Sequence, residues 1–150
     1  MNRKKEKRSF SGLLAAVLAV VVLLGFTTAL RNLNEGSSDQ GREQLETALR
    51  RSAVLDAAAR VRAEELVEAF SHTRPDGRYF STVFAEHGIT YRYSGENIAW
   101  GQKSPEEVVT AWMNSAGHRA NILNAKFTEL GVGYRQNARG VNYFTQLFIY

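Results

Sequence analysis

The last ten residues of the chain, 141–150, constrain the fold most, because they have the pattern of a β-strand that is largely apolar on both faces. Side chains alternate between the two faces of a strand. One face would carry Val141, Tyr143, Thr145, Leu147 and Ile149, and the other Phe144, Gln146, Phe148 and Tyr150. Such a strand needs cover on both sides. The sequence therefore predicts a layered fold with a sheet between helices.

The rest of the chain supplies the elements of such a fold. The patterns predict helices over 45–70, 79–87 and from Ser104 onward, and strands over 89–93, 129–135 and 141–150. The first helix would bury the stripe Leu55, Ala59, Ala63, Leu66 and Phe70. Its opposite face would be solvated, and consists of Arg60, Glu64, Glu65 and Glu68. The predicted fold class is α+β, an α/β/α sandwich with a small antiparallel sheet between helices.

Local signals define the ends of two helices. Ser104, Pro105 and Glu107 combine an N-cap serine, a proline at the first helical position and a glutamate three residues after the cap. Trp112 follows on the apolar face of this helix and is predicted to anchor the core. His87 ends the second helix, and we interpret it as a packing or capping residue rather than a ligand.

The first 30 residues have the pattern of an export segment. A basic cluster precedes an apolar run at 13–26, and no charge occurs from 9 to 30. As a helix, positions 9–30 would span about 33 Å, enough to cross a hydrocarbon core of about 30 Å. They are either a signal peptide cleaved near Ala29 or a retained membrane anchor, and both place the following residues outside the cell. We divide the rest into a linker at 31–48 and a domain at 49–150.

Charge and cysteine content exclude several functions. The net charge of +4 arises in the N-terminal cluster, because basic and acidic side chains balance over 30–150. The domain therefore lacks the basic surface of a nucleic-acid-binding protein. The chain has no cysteine, so thiolate zinc sites and cysteine nucleophiles are excluded. An exported domain of this kind relies on packing alone, although many of its size use disulfides.

Three polar segments each place one ionisable residue among turn-forming residues. They are the histidine island at 71–77 with His72, the glutamate island at 94–99 with Glu96, and the Gly-His-Arg island at 112–123 with His118. Gly and Pro-Asp-Gly let the backbone bend and present a side chain. We interpret the islands as connections between apolar segments that together form one composite site.

The islands, in this order and followed by Phe144-Thr145-Gln146-Leu147-Phe148, resemble the CAP domain, also called the SCP domain. This is the family of cysteine-rich secretory proteins, antigen 5 and plant pathogenesis-related proteins, and the likeness is to its bacterial branch over about 49–150. The resemblance implies an α/β/α sandwich with a solvent-filled cleft that holds two histidines and two acids in the eukaryotic branch.

Only half of that tetrad is present in this chain. His72 matches the first histidine and Glu96 one acid, whereas the second acid falls at Ser115 and the second histidine at Tyr143. The bacterial pattern implies that His118 projects into the same cleft. The residues predicted to line the cleft are His72, Glu96, His118, Ser115, Tyr143 and Gln146.

Each of these residues also has a structural interpretation, and the chemistry stays open. Two imidazoles and a carboxylate suit a divalent metal such as zinc, with His72 and His118 as ligands. Otherwise His72 bonds the turn at 75–77, Glu96 ties down backbone amides, and His118 links two helices. Arg119 is predicted to form a structural ion pair. The sequence has no Gly-x-Ser-x-Gly elbow, so no residue is assigned a catalytic role, and the sequence favours a protein that is not an enzyme.

Three functions are open, and the resemblance to the CAP family implies the first of them. The first is a non-catalytic, exported or cell-surface binding module that holds a lipid-like ligand, a small molecule or an envelope component in its cleft. The second is a metal-assisted hydrolase that acts on peptides. The third is a structural extracellular domain whose islands only stabilise loops. Contact with a membrane is expected only through an uncleaved N-terminal segment.

Overall fold

The computed structural model describes residues 50–150. In chain order, its elements are β1 Arg50–Arg51, α1 Ala53–Glu68, α2 Thr82–Glu86, β2 Ser94–Trp100, α3 Pro105–Asn114, α4 Ala116–Ile122, β3 Glu129–Gln136 and β4 Asn142–Ile149. The predicted export segment and the linker lie outside the described residues. Among the helices in the described range, none is both long enough and apolar enough to cross a bilayer.

The strands form one sheet in the order β1-β3-β4-β2. β4 is antiparallel to both of its neighbours, and Gln146 lies opposite Val132 on β3 and Asn97 on β2. β1 adds two residues in parallel to the start of β3. The strand with two apolar faces is therefore an inner strand, and β2 forms one edge of the sheet.

Helices cover both faces of this sheet, which confirms the predicted α/β/α sandwich. On the face that α1 and α2 cover, the core consists of Leu55, Ala58, Ala59, Phe80, Val83, Phe84, Leu147 and Ile149. On the face that α3 and α4 cover, the core includes Val108, Val109, Trp112, Ile122, Leu130, Val132, Phe144 and Phe148. The sheet thus separates two hydrophobic cores, and β4 contributes side chains to both of them.

Helix α1 packs directly against the backbone of β3. A Cβ atom at Gly131 would lie 2.4 Å from the carbonyl oxygen of Leu55, and one at Gly133 would lie 1.9 Å from that of Ala59. Neither glycine has a positive φ angle, so the requirement is for space rather than for an unusual backbone. The absence of two side chains lets the helix lie unusually close to the sheet.

Several local predictions are confirmed. Ser104 caps α3 by accepting from the N–H of Glu107 at 3.2 Å, and the Glu107 carboxylate accepts from the N–H of Lys103 at 2.8 Å. Trp112 is buried, and its Nε1 donates to the carbonyl of Ile98 at 3.2 Å. His87 ends α2 with its Nδ1 3.0 Å from the carbonyl of Val83.

The predicted limits of the first two helices were too wide. Within the described residues α1 begins at Ala53, because Ser52 is its N-cap and the residues before it pair with β3. It ends at Glu68, so Phe70 leaves the buried stripe and is 45% exposed. Helix α2 is confined to 82–86, because the N–H of Phe80 donates to the carbonyl of His72 instead of starting a helix.

The predicted strand at 89–93 was wrong, and the strand lies at 94–100 in the glutamate island. Gly95, Glu96 and Asn97 have low β-propensity, and the glycine and the asparagine also favour turns. They form a strand here because β4 pairs with the whole segment and because remote groups satisfy both polar side chains. The Gly-His-Arg island is likewise the end of α3 followed by α4. Only the histidine island is a connection.

We expect Gly133→Ala to lower the free energy of unfolding by about 3 kcal/mol, the upper part of the range for overpacking. The new methyl group meets the Ala59 backbone, which cannot rotate away. Urea unfolding measures the change. Gly117→Ala in α4 is the control, since its Cβ meets no atom within 4 Å. Equal stability of the two variants would contradict the close approach of α1.

Candidate functional site

The candidate site is built on two adjacent residues of the edge strand β2. Glu96 and Asn97 point to opposite faces of the sheet, because side chains alternate along a strand. Glu96 lies on the face that α1 covers and Asn97 on the face that α4 covers, and both are buried. Each of them holds a segment that carries a histidine.

The Glu96 carboxylate is buried and has a separate partner for each oxygen. Oε1 accepts from Nε of Arg62 at 2.8 Å, and Oε2 lies 2.7 Å from Nδ1 of His72. The side chains of Glu96 and Arg62 are inaccessible to solvent, whereas that of His72 is 46% exposed. Because a carboxylate only accepts, Nδ1 of His72 donates. In the neutral imidazole the lone pair is then on Nε2.

Arg62 joins three parts of the molecule. Besides Glu96, its guanidinium donates to the Glu65 carboxylate and to the carbonyl of Ser71 at 2.8 Å. It thus binds α1 to β2 and to the first residue of the histidine island. Sequence reasoning missed Arg62, although it lies on the apolar stripe of α1 between Ala59 and Leu66. A charged residue on a buried stripe is the signal that could have found it.

Arg74 holds the other half of the histidine island. Its guanidinium donates to Glu65 at 2.6 Å, to Glu86 at 2.7 Å and to Thr82 at 3.0 Å. These hydrogen bonds, the one to Glu86 first and those to Glu65 second, raise the pKa of Arg74. The sequence had predicted that Glu65 lies on a solvated face, and this prediction was wrong. His72 bonds Glu96 and not the turn at 75–77, and Glu96 binds side chains and not backbone amides.

On the other face, Asn97 holds α4 against β2. Its Nδ2 donates to the carbonyl of His118 and to Oε1 of Gln146, both at 3.1 Å. Its Oδ1 accepts from Asn121 at 2.9 Å, and Asn121 also donates to the carbonyl of Glu96 at 3.3 Å. Gln146 is completely buried, and its Nε2 has no partner among the described residues.

The His118 side chain contacts Ser115, with its Nδ1 2.9 Å from Oγ. Partial burial lowers the pKa of His118, and the charge of a protonated His72 lowers it further. Neighbouring residues of β2 hold the two segments from opposite faces of the sheet, Glu96 through the His72 side chain and Asn97 through the His118 carbonyl. The two histidines therefore flank the same edge of the sheet.

The structure thus brings most of the predicted cleft residues to one edge, but not all of them. His72 and Glu96 are in contact, and His118, Ser115 and Gln146 join them through Asn97. Tyr143 pairs with Trp100, four residues along β2 from Glu96, which is about 13 Å. Its hydroxyl lies 3.4 Å from Asn137 in the turn between β3 and β4.

One further prediction fails on the described residues, and the proposed metal site has no ligand set among them. Arg119 donates to the carbonyl of Met113 at 3.3 Å and forms no ion pair within 50–150. In the same range, no group of three or more His, Asp or Glu side chains is placed to hold a metal ion. Both Glu96 oxygens are already engaged, so these residues do not fit the zinc site that His72 and His118 suggested.

The fold and the two anchored histidines define an α/β/α sandwich of the CAP type. The sequence profile of the cysteine-rich secretory protein family matches residues 29–148, and the chain belongs to this family. It is 45% identical over 97 residues to Uncharacterized protein YkwD of Bacillus subtilis (strain 168). That alignment covers 63% of this chain and 37% of YkwD.

Solved structures show the same fold. An extracellular protein containing a SCP domain from Bacillus anthracis str. Ames has 29% identity and a TM-score of 0.61, over 67% of this chain and 33% of its own. An outer surface protein from Borrelia burgdorferi has 23% identity and a TM-score of 0.62, over 68% of this chain and 77% of its own. The chain spans little more than a third of YkwD and a third of the anthrax protein.

We expect Arg62→Met to lower the free energy of unfolding by about 3–5 kcal/mol, because it leaves the buried Glu96 carboxylate without its cationic partner. Thermal and urea unfolding measure the loss. Arg135→Met is the matched control: Arg135 and Glu64 form an exposed pair at 3.4 Å, worth about 0.5 kcal/mol. Similar losses in both variants would show that the buried ion pair stabilises the fold no more than the exposed pair does.

The contact between Glu86 and Arg74 predicts a dependence of stability on pH. Hydrogen bonds from Arg74 and then Arg78 lower the pKa of Glu86 from 4.5 to about 2. The stabilisation is therefore complete above pH 4.5 and disappears as the pH falls toward 2. Glu86→Gln should melt at a lower temperature than the parent at pH 5–7, and the difference should vanish near pH 2. A constant difference would contradict this origin.

Proposed function

We propose that this chain is an exported CAP domain that binds a ligand at the His72 edge of β2 without turning it over. The ligand is lipid-like, a small molecule or a component of the cell envelope. Two relatives of the same fold are described as an extracellular protein and an outer surface protein. The charge pattern of residues 1–30 agrees with export.

The observation that carries the proposal is the way His72 is held. Its Nδ1 donates to a fully buried carboxylate, which Arg62 fixes from the other side. Arg62 also binds the backbone at Ser71, the residue before His72. The imidazole is therefore pre-oriented, with nearly half of its side chain exposed. A polar group held rigidly at a surface binds a ligand with little loss of conformational freedom.

Two exposed aromatic rings lie on the same side of the domain. Phe70 precedes His72 by two residues, and Trp100 shares with Glu96 one face of β2. Their rings meet edge to face, with centroids 6.3 Å apart, and the two residues are 45% and 55% exposed. Apolar surface beside a fixed hydrogen-bonding group suits a ligand with both apolar and polar parts.

A hydrolase is the second candidate, because a carboxylate that orients an imidazole is also the arrangement of a general base. The metal-assisted form of this candidate has weaker support, since the described residues do not form a ligand set. Binding is preferred because each Glu96 oxygen and each Arg62 guanidinium nitrogen already has a protein partner. Those contacts hold the His72 imidazole in place, so its fixed orientation does not depend on a catalytic role.

The test is native mass spectrometry of the full chain purified from its own host, followed by binding to isolated cell envelopes and to phospholipid vesicles. We expect His72→Gln to weaken capture about tenfold, the effect of one lost hydrogen bond, with little change in melting temperature. His87→Gln is the control, because His87 only caps α2. Capture that is unaffected in the His72 variant would refute the binding site.

The same samples separate the alternatives. Equal losses of capture and melting temperature in the His72 variant would support a structural role instead. Release of cleaved peptide from a casein substrate, abolished by His72→Gln, would support the hydrolase. Addition of EDTA to that assay would show whether a metal takes part.

A further inference from the structure

Ser115 alone joins α3 to α4, and its backbone is held on both sides. Its φ and ψ angles are −98° and 122°, so the chain is extended between two helices and turns sharply. Its N–H donates to the carbonyl of Trp112 at 3.1 Å, and its carbonyl accepts from the N–H of Arg119 at 2.8 Å. The direction in which the Ser115 side chain leaves the backbone is therefore fixed.

The hydroxyl of Ser115 does not make the contact that its position favours. An N-cap serine usually accepts from a backbone N–H two or three residues later, as Ser104 does at the start of α3. Ser115 is the N-cap of α4 but makes no such bond, and its Oγ lies 2.9 Å from Nδ1 of His118. Of the four N-cap serines in the described residues, Ser52 and Ser104 accept from a helix N–H, whereas Ser81 and Ser115 do not. The hydroxyl of Ser115 instead has a base as its partner.

The surroundings of His118 favour its role as a base. Its carbonyl accepts from the buried Asn97, so its backbone is anchored to β2. Burial and the nearby His72 keep its pKa below the usual value of 6.5, and the imidazole is neutral at pH 7. The surface beside it is open, because a Cβ atom at Gly117 would meet no atom within 4 Å.

We propose that Ser115 and His118 form a nucleophilic dyad that reacts with carboxylic esters. The neutral imidazole carries its proton on Nε2, and the lone pair of Nδ1 accepts the Ser115 proton. Oγ then attacks the ester carbonyl, the bond to the alcohol oxygen breaks, and His118 passes the proton to the departing alkoxide. Water hydrolyses the acyl-serine in the same way and returns the proton to Oγ.

This activity goes beyond ligand binding and rests on different atoms. Binding as proposed depends on Nε2 of His72, whereas the dyad depends on Oγ of Ser115 and Nδ1 of His118. Loss of one function therefore leaves the other measurable. The two sites share β2, because Glu96 holds His72 and Asn97 holds His118.

The test is covalent labelling of the full chain with a fluorophosphonate, followed by peptide mapping, and hydrolysis of p-nitrophenyl acetate. We expect one adduct on Ser115. His118→Gln should slow labelling about 100-fold, the contribution of a general base. The rate of labelling should be constant from pH 8 to about 6.5, the usual pKa of histidine. It should fall only at lower pH, because His118 protonates below that value.

Ser104→Ala is the matched control and should leave the adduct on Ser115 unchanged. Ser115→Ala should abolish it; if that variant does not fold, mapping of the unaltered chain and the rate of His118→Gln still decide the question. Labelling of Ser115 no faster than that of Ser104 would overturn the proposal. So would an undiminished rate in His118→Gln.

Discussion

The buried ion pair between Arg62 and Glu96 is the interaction on which the other contacts of the candidate site depend. Taking two charges out of water is expensive unless every hydrogen-bonding group finds a partner. Here the guanidinium reaches Glu96, Glu65 and the backbone of Ser71, and the second carboxylate oxygen reaches His72. One pair thus fixes a helix, a strand and a connection in a single arrangement.

The edge strand β2 extends this arrangement to both faces of the sheet. An unpaired strand edge exposes carbonyl and N–H groups that invite aggregation. In this chain, the carbonyls of Glu96 and Ile98 accept from the side chains of Asn121 and Trp112. The residues that cover the edge are thus the same ones that hold α3 and α4 against the sheet. The contacts that protect the edge therefore also position α4 and its His118.

Sequence patterns predicted the layers of the fold well, because those layers follow from local periodicity. The two-sided strand at 141–150 and the cap at Ser104 depend on residues close together in the chain. The glutamate island was misread because its partners are remote: Arg62 is 34 residues away from Glu96, and Gln146 is 49 residues away from Asn97. Turn propensity governs such a segment only when nothing else satisfies its polar groups. The partner of Arg62 is equally remote. The contacts of Arg74 span only 8–12 residues but join the histidine island to two different helices, α1 and α2, which no local pattern reveals. The meeting of His72 with Glu96 was expected from the resemblance to the CAP domain.

The position of β1 has a consequence for how the domain is presented. The described chain enters the sheet at β1, and β2 forms the opposite edge. Three inter-strand spacings of about 4.8 Å separate the two edges. The histidine-bearing edge is therefore the edge of the sheet that lies farthest from the strand at which the described chain enters. A molecule bound along that edge lies a full sheet width, about 14 Å, from β1.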